Sequence, residues 1–85
     1  MTTVLITGAN RGIGLEHARR YGAQGATVLA ACRAPGAELL ALAQANPDRT
    51  STIAYDAADP QAGKALKAAV GDRPIDILLI NAGVY

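Results

Sequence analysis

The chain has 85 residues, 51% hydrophobic and 18% charged, enough for one small domain that buries only about 60–65% of its unfolded surface. Eight basic and seven acidic residues leave a formal net charge of +1, which excludes the strong single-sign field expected of a protein whose main partner is nucleic acid or membrane. One cysteine, Cys32, and one histidine, His17, exclude an internal disulfide and a cysteine- or histidine-rich metal site.

Thr3-Val4-Leu5-Ile6-Thr7 is an apolar run flanked by threonines and closed by Gly8, and predicts a first strand. Ile13 to about Gln24 predicts a helix, with Leu15, Ala18, Tyr21 and Gly22 at three- and four-residue spacing and Gly25 just past its end. Thr27-Val28-Leu29-Ala30-Ala31-Cys32 follows as a second strand. Pro35 stands where a second helix can begin, Glu38 to Ala45 continues it, and Asn46-Pro47-Asp48 stops it. Thr50 to Tyr55 predicts a third strand. Asp59 as N-cap and Pro60 at the first helical position predict a third helix running to Val70, before Gly71. Ile75-Asp76-Ile77-Leu78-Leu79-Ile80 predicts a fourth strand, so nearly all apolar that burial on both faces is expected.

Strands alternating with helices predict an α/β fold with a doubly wound parallel sheet, right-handed crossovers and strand order 3-2-1-4. No apolar run approaches the ~20 residues that cross a bilayer. Val4-Leu5-Ile6 is too short for the apolar core of a signal peptide. A soluble, cytoplasmic chain is expected.

The densest chemical signal is Thr7-Gly8-Ala9-Asn10-Arg11-Gly12-Ile13-Gly14, between the first strand and the first helix. Glycines there permit a sharp turn and a close approach of backbone to a pyrophosphate, and the helix start behind them offers N–H groups and partial positive charge. The spacing is G-x-x-x-G-x-G. It is neither the G-x-G-x-x-G fingerprint nor a P-loop, since Gly14 is followed by Leu15 rather than by Lys and Ser or Thr.

These residues resemble the cofactor motif of the short-chain dehydrogenase/reductase family, T-G-x-x-x-G-x-G after the first strand. Asn81-Ala82-Gly83 resembles the same family's N-N-A-G motif, with Ile80 in place of the first Asn. Asp56 sits where that family places the acid that meets the adenine ring. The resemblance covers essentially the whole chain but only the first part of a family member. It implies that residues 1–85 are the N-terminal part of an NADP(H)-binding Rossmann domain, with about four strands and three helices. Ile6 to Gly14 and Ala31 to Pro35 are most similar to the carbonyl-reductase and C-factor-like members.

An NAD-selective site of this class carries an Asp or Glu at the end of the second strand, which accepts from the ribose 2′-OH. Here Cys32 holds that position, Arg33 follows it, and the first acid downstream is Glu38. Arg11 lies within the glycine-rich turn, so two guanidiniums can meet one 2′-phosphate. In the resembling family this pairing implies NADP(H). The expected cofactor-binding residues are Gly8, Asn10, Arg11, Gly12, Ile13, Gly14, Cys32, Arg33, Asp56, Asn81, Ala82 and Gly83.

Asn81 is expected mainly to tie neighbouring strands together, with Ala82 and Gly83 presenting backbone near the nicotinamide-side ribose. His17, one turn from Tyr21, is expected to pack half-buried rather than to act as ligand or base. Cys32 beside Arg33 can be read as a reactive thiol or as a small residue that makes room for cofactor, and Asp56 as a ligand contact or as the cap of a turn. Asp59 is better placed to cap a helix.

The resemblance implies carbonyl reduction by hydride transfer, with a Tyr as general acid and a Lys and a Ser completing the site, all downstream of Asn81-Ala82-Gly83. Tyr21, Tyr55 and Tyr85 do not stand four residues before a Lys, so no catalytic residue is expected here. Two functions stay open: the cofactor-binding portion of an NADP(H)-dependent oxidoreductase, or a stand-alone non-catalytic nucleotide-binding or oligomerising module. In either case the apolar fourth strand is expected to be covered by self-association or by a C-terminal half.

Overall fold

A computed structural model describes residues 2–10, 12–56 and 58–80. Strands β1 (Thr3–Thr7), β2 (Thr27–Cys32), β3 (Thr50–Ala54) and β4 (Ile77–Ile80) alternate with helices α1 (Gly12–Ala23), α2 (Ala37–Ala45) and α3 (Ala62–Val70). The strands form one parallel sheet in the order β3-β2-β1-β4. This is the predicted α/β class and strand order, a Rossmann-type arrangement.

Alternation along the strands divides the core in two. Val4, Ile6, Val28, Ala30 and Cys32 face one side, where Leu15, Ala18 and Tyr21 of α1 and Leu39 and Leu42 of α2 pack on them. Leu5, Leu29 and Ala31 face the other side, with Val70 and Leu66 of α3 and with Ile53, Tyr55 and Ile75. Both faces of β1 and β2 are therefore covered, as their unbroken apolar sequence requires.

Helix α1 ends in a Schellman motif. Ala26 N–H donates to Tyr21 C=O at 3.0 Å and Gly25 N–H to Gly22 C=O at 3.1 Å, with Gly25 at φ +87°. The motif turns the chain directly into β2, which begins two residues later. On the outer face of α1, Arg20 and Arg19 both pair with Glu16, and Arg19 also reaches Glu38 of α2 at 3.5 Å. The hydrogen bond from Arg20 holds the Glu16 carboxyl below its ordinary range. His17 packs half-buried against Tyr21 with ring centroids 6.4 Å apart, as expected.

Several boundaries differ from the sequence expectation. Helix α2 is capped by Gly36 and starts at Ala37, so Pro35 precedes the cap instead of occupying the first turn. Helix α3 is capped by Gln61 rather than by Asp59. Ala62 N–H donates to the Asp59 carbonyl at 3.0 Å, and Gln61 has φ −94° and ψ −1°. Asp59 and Pro60 thus open a type I turn, whose first two positions favour those residues, and the helix begins after it. The third strand stops one residue short of Tyr55.

The fourth strand starts at Ile77, not Ile75, because Asp76 clamps onto β1. Thr3 N–H donates to Asp76 Oδ2 at 2.8 Å, and Asp76 N–H donates to the Thr3 carbonyl at 3.0 Å. Burial on both faces of β4 is also corrected. Ile77 and Leu79 pack half-buried against the α1 side, while Leu78 and Ile80 remain 54% and 77% exposed. Strand β4 is an edge paired only to β1, and no described helix covers its second face.

Candidate functional site

The chain leaves β1 at Thr7 and turns through Gly8-Ala9-Asn10 into α1. Strand β1 lies between β2 and β4, so the chain departs to one side for β2 and later returns to the other for β4. That reversal is a topological switch point, and in open α/β sheets it opens a crevice at the carboxyl ends of the strands. The glycine-rich turn stands at that crevice.

Gly8 and Gly12 have φ of +65° and +62°, the left-handed region in which a side chain is strained. A Cβ on Gly12 would meet nothing within 4 Å, so the space beside it is open. Gly14 is buried in the first turn of α1, whereas Ile13 is 66% exposed. The N–H groups of that first turn have no partner inside the helix and carry the partial positive charge of a helix start. The turn is therefore a backbone cradle with room in front of it, which fits an anionic group such as a pyrophosphate.

Two hydrogen bonds join this turn to the end of β2 and to the loop that follows it. Buried Ala9 donates its N–H to the Ala31 carbonyl at 3.2 Å, and the Asn10 side-chain Oδ1 accepts from Gly36 N–H. Between those anchors lies Arg33, exposed and without an ion pair to any described residue. No carboxylate stands at the end of β2, where Cys32 is buried on the α1 side of the sheet. Burial pushes the Cys32 thiol above its ordinary range, so it stays protonated and apolar in character at neutral pH. Its packing into the core identifies it as a small core residue and not as a reactive thiolate.

Asp56 lies just beyond β3. Its Oδ1 accepts from Ala58 N–H at 3.0 Å and its carbonyl accepts from Asp59 N–H at 3.0 Å, so it holds a turn while its side chain stays exposed. Thus Gly8, Asn10, Gly12, Ile13 and Gly14 gather in one turn with Cys32 and Arg33 beside it, and Asp56 follows the neighbouring strand. Arg11, Asn81, Ala82 and Gly83 lie outside the described residues. The sequence did not point to Gly36; its partner is 26 residues away, and no local pattern marks such a bond. Among the described residues no group of three or more His, Cys, Asp or Glu is placed to hold a metal ion. No described helix is long and apolar enough to cross a membrane.

A parallel sheet with a glycine-rich turn at its switch point is the architecture of a Rossmann-type dinucleotide-binding domain. Residues 2–85 match the family model for short chain dehydrogenases, and the chain belongs to that family. Over its full length it is similar to a carbonyl reductase from Pseudomonas aeruginosa in complex with NADP, with 38% identity, a TM-score of 0.95 and coverage of 40% of that chain. It is 37% identical to a meso-2,3-butanediol dehydrogenase from Serratia marcescens, over 96% of this chain and 34% of that protein. A WW domain-containing oxidoreductase from Drosophila melanogaster is 35% identical over 98% of this chain and 22% of its own length. The chain thus spans between 22% and 40% of these three relatives.

Proposed function

We propose that the chain is the NADP(H)-binding portion of a short-chain dehydrogenase/reductase that transfers hydride between NADPH and a carbonyl or alcohol substrate. The observation that carries this is the open cradle at Gly12, together with an exposed Arg33 that has no ion pair to any described residue and with no acid at the end of β2. The NADP held by the similar carbonyl reductase from Pseudomonas aeruginosa supports the same cofactor. When bound, the cofactor's nicotinamide supplies the hydride.

The chain's own residues bind and orient. The turn from Gly8 to Gly14 receives the pyrophosphate on backbone N–H groups. Arg33, with Arg11, receives the 2′-phosphate through charge-assisted hydrogen bonds that Lys would not reproduce in geometry. Asp56, beyond β3, meets the adenine ring; Ala82 and Gly83 present backbone to the nicotinamide-side ribose, and Asn81 ties neighbouring strands together beside them. The proton donor and its Lys and Ser partners are not among these residues.

The exposed Leu78 and Ile80 support a further part of the same proposal, that β4 is covered in the working protein by a second copy or by a C-terminal half. Localisation in the cytoplasm is part of the proposal as well.

The cofactor assignment is tested by titrating the chain with NADPH and NADH. NADPH is expected to bind more tightly. Loss of one charge-assisted phosphate contact costs about 1.5–3 kcal/mol, so Arg33→Ala is expected to narrow the preference about tenfold or more. Equal affinity for both cofactors, unchanged by the substitution, would overturn it.

A further inference from the structure

Asn10 sits in the glycine-rich turn, where direct contact with cofactor is the expectation. The structure gives its carbonyl oxygen another task. Asn10 Oδ1 accepts a hydrogen bond from the backbone N–H of Gly36, the residue that caps α2. The contact is partly buried and spans 26 positions of sequence. A Cβ on Gly36 would stand 3.2 Å from the same Asn10 oxygen, tighter than most Cβ contacts, so a larger residue there would press on the Asn10 side chain.

A second bond lies one residue away, from Ala9 N–H to the Ala31 carbonyl at 3.2 Å. Adjacent residues of the turn therefore hold both ends of the segment from Ala31 to Gly36, and Arg33 lies inside it. That segment has no regular structure after Cys32 and rejoins a helix only at Ala37. Without the Gly36 anchor, the four residues from Arg33 to Gly36 would be held, among the described contacts, only through β2 and the start of α2. An arginine on a loosened loop loses the geometric advantage of its planar fork, because ordering it then costs conformational entropy on binding.

We propose that the Asn10–Gly36 hydrogen bond is a positioning contact that sets Arg33 against the glycine-rich turn, so that Asn10 governs cofactor selectivity through Arg33. This rests on the NADP(H) assignment above and adds to it the element that holds the selective residue. The bond forms between backbone and side chain of the chain itself and needs no cofactor atom. Its loss acts on the part of the ligand that Arg33 meets and leaves the pyrophosphate cradle in place.

The test uses the full chain in two measurements. The first is amide hydrogen exchange at Gly36 without cofactor, in wild type and in Asn10→Ala. Protection in wild type that is lost in the variant is expected; a freely exchanging Gly36 amide in the folded wild type would overturn the proposal. The second is the affinity for NADPH and NADH in wild type, Asn10→Ala, Arg33→Ala and the double variant. Asn10→Ala is expected to lower the NADPH-over-NADH preference by about three- to tenfold. In the Asn10→Ala background, Arg33→Ala is expected to change the preference by about twofold or less.

Equal weakening toward both cofactors, or an undiminished Arg33 effect in the double variant, would overturn the positioning role and leave the cofactor assignment standing. A wild-type chain that binds both cofactors equally would instead overturn the assignment itself, and the proposal with it. Amide exchange at Gly36 in the wild type tests the proposal independently of whether Asn10→Ala folds.

Discussion

Cys32 shows how a single position is read differently in sequence and in structure. Beside Arg33 it has the sequence context of an activated thiol, since a neighbouring cation lowers thiol pKa. Alternation along β2 decides the matter, because it turns Cys32 toward Val4, Ile6 and α1, into the apolar core. Desolvation there raises the thiol pKa, and the folded chain keeps it protonated. The sign follows: the unfolded chain ionises its thiol first, so this residue's contribution to stability falls as pH rises above the ordinary thiol value. We predict that iodoacetamide at neutral pH modifies Cys32 only at the rate of unfolding, and that denaturant speeds labelling sharply. Rapid stoichiometric labelling of folded chain would contradict the buried placement. Arg33 is the complementary case. Its neighbour's side chain points into the core, while Arg33 itself is exposed in the loop after β2.

At the scale of elements, the strands and helices were legible because their signals are local and periodic. β1 and β2 follow from apolar runs with their bounds intact, and α1 from apolar spacing with Gly25 beyond it. Gly25 is a direct stability test of that reading. It sits at φ +87° in the Schellman turn, while a Cβ would find only the Arg49 guanidinium at 3.6 Å, an ordinary contact. Strain alone is therefore at stake, and Gly25→Ala is expected to lower stability by about 1–2 kcal/mol in chemical denaturation. A neutral substitution would mean that the turn relaxes freely. The starts of α2, α3 and β4 were less legible. Pro and Asp serve both as helix starts and as turn openers, and nothing local in Asp59-Pro60 says which. Asp76 lies in an apolar run and reads as a strand residue; only the register of β4 on β1 brings it to Thr3. The Asn10–Gly36 bond was invisible for the same reason, since its two partners meet through tertiary structure.

For the whole molecule, the order β3-β2-β1-β4 explains why one end of the sheet concentrates the chemistry. It brings the turn after β1, the Arg after β2 and the Asp after β3 to the same end. The order also leaves β4 at an edge with Leu78 and Ile80 in water. Exposing a large aliphatic side chain forgoes about 1.5–3 kcal/mol relative to burial, a large share of a small domain's total of about 5–15 kcal/mol. The isolated chain is accordingly expected to self-associate, and Leu78→Lys to shift it toward monomer in sedimentation equilibrium. A wild-type chain that is monomeric and sharply cooperative, unaffected by Leu78→Lys, would contradict a covered fourth strand.

The opposite end of the sheet offers a contrasting site. A shallow groove of about 360 Å³ there is lined by Thr2, Tyr21, Gln24, Gly25, Ala26 and Ile77. Among the described residues its lining has no cluster of cations and no helix N-terminus, the features that hold a dinucleotide's phosphates. Backbone amide shifts followed by NMR during titration with NADPH distinguish the two ends directly. The largest changes are expected at Gly8, Gly12, Ile13, Gly14 and Arg33, with Thr2, Gln24 and Gly25 little moved. Changes confined to the groove residues, with the glycine-rich turn unperturbed at saturating NADPH, would contradict the assignment of this turn as the cofactor site.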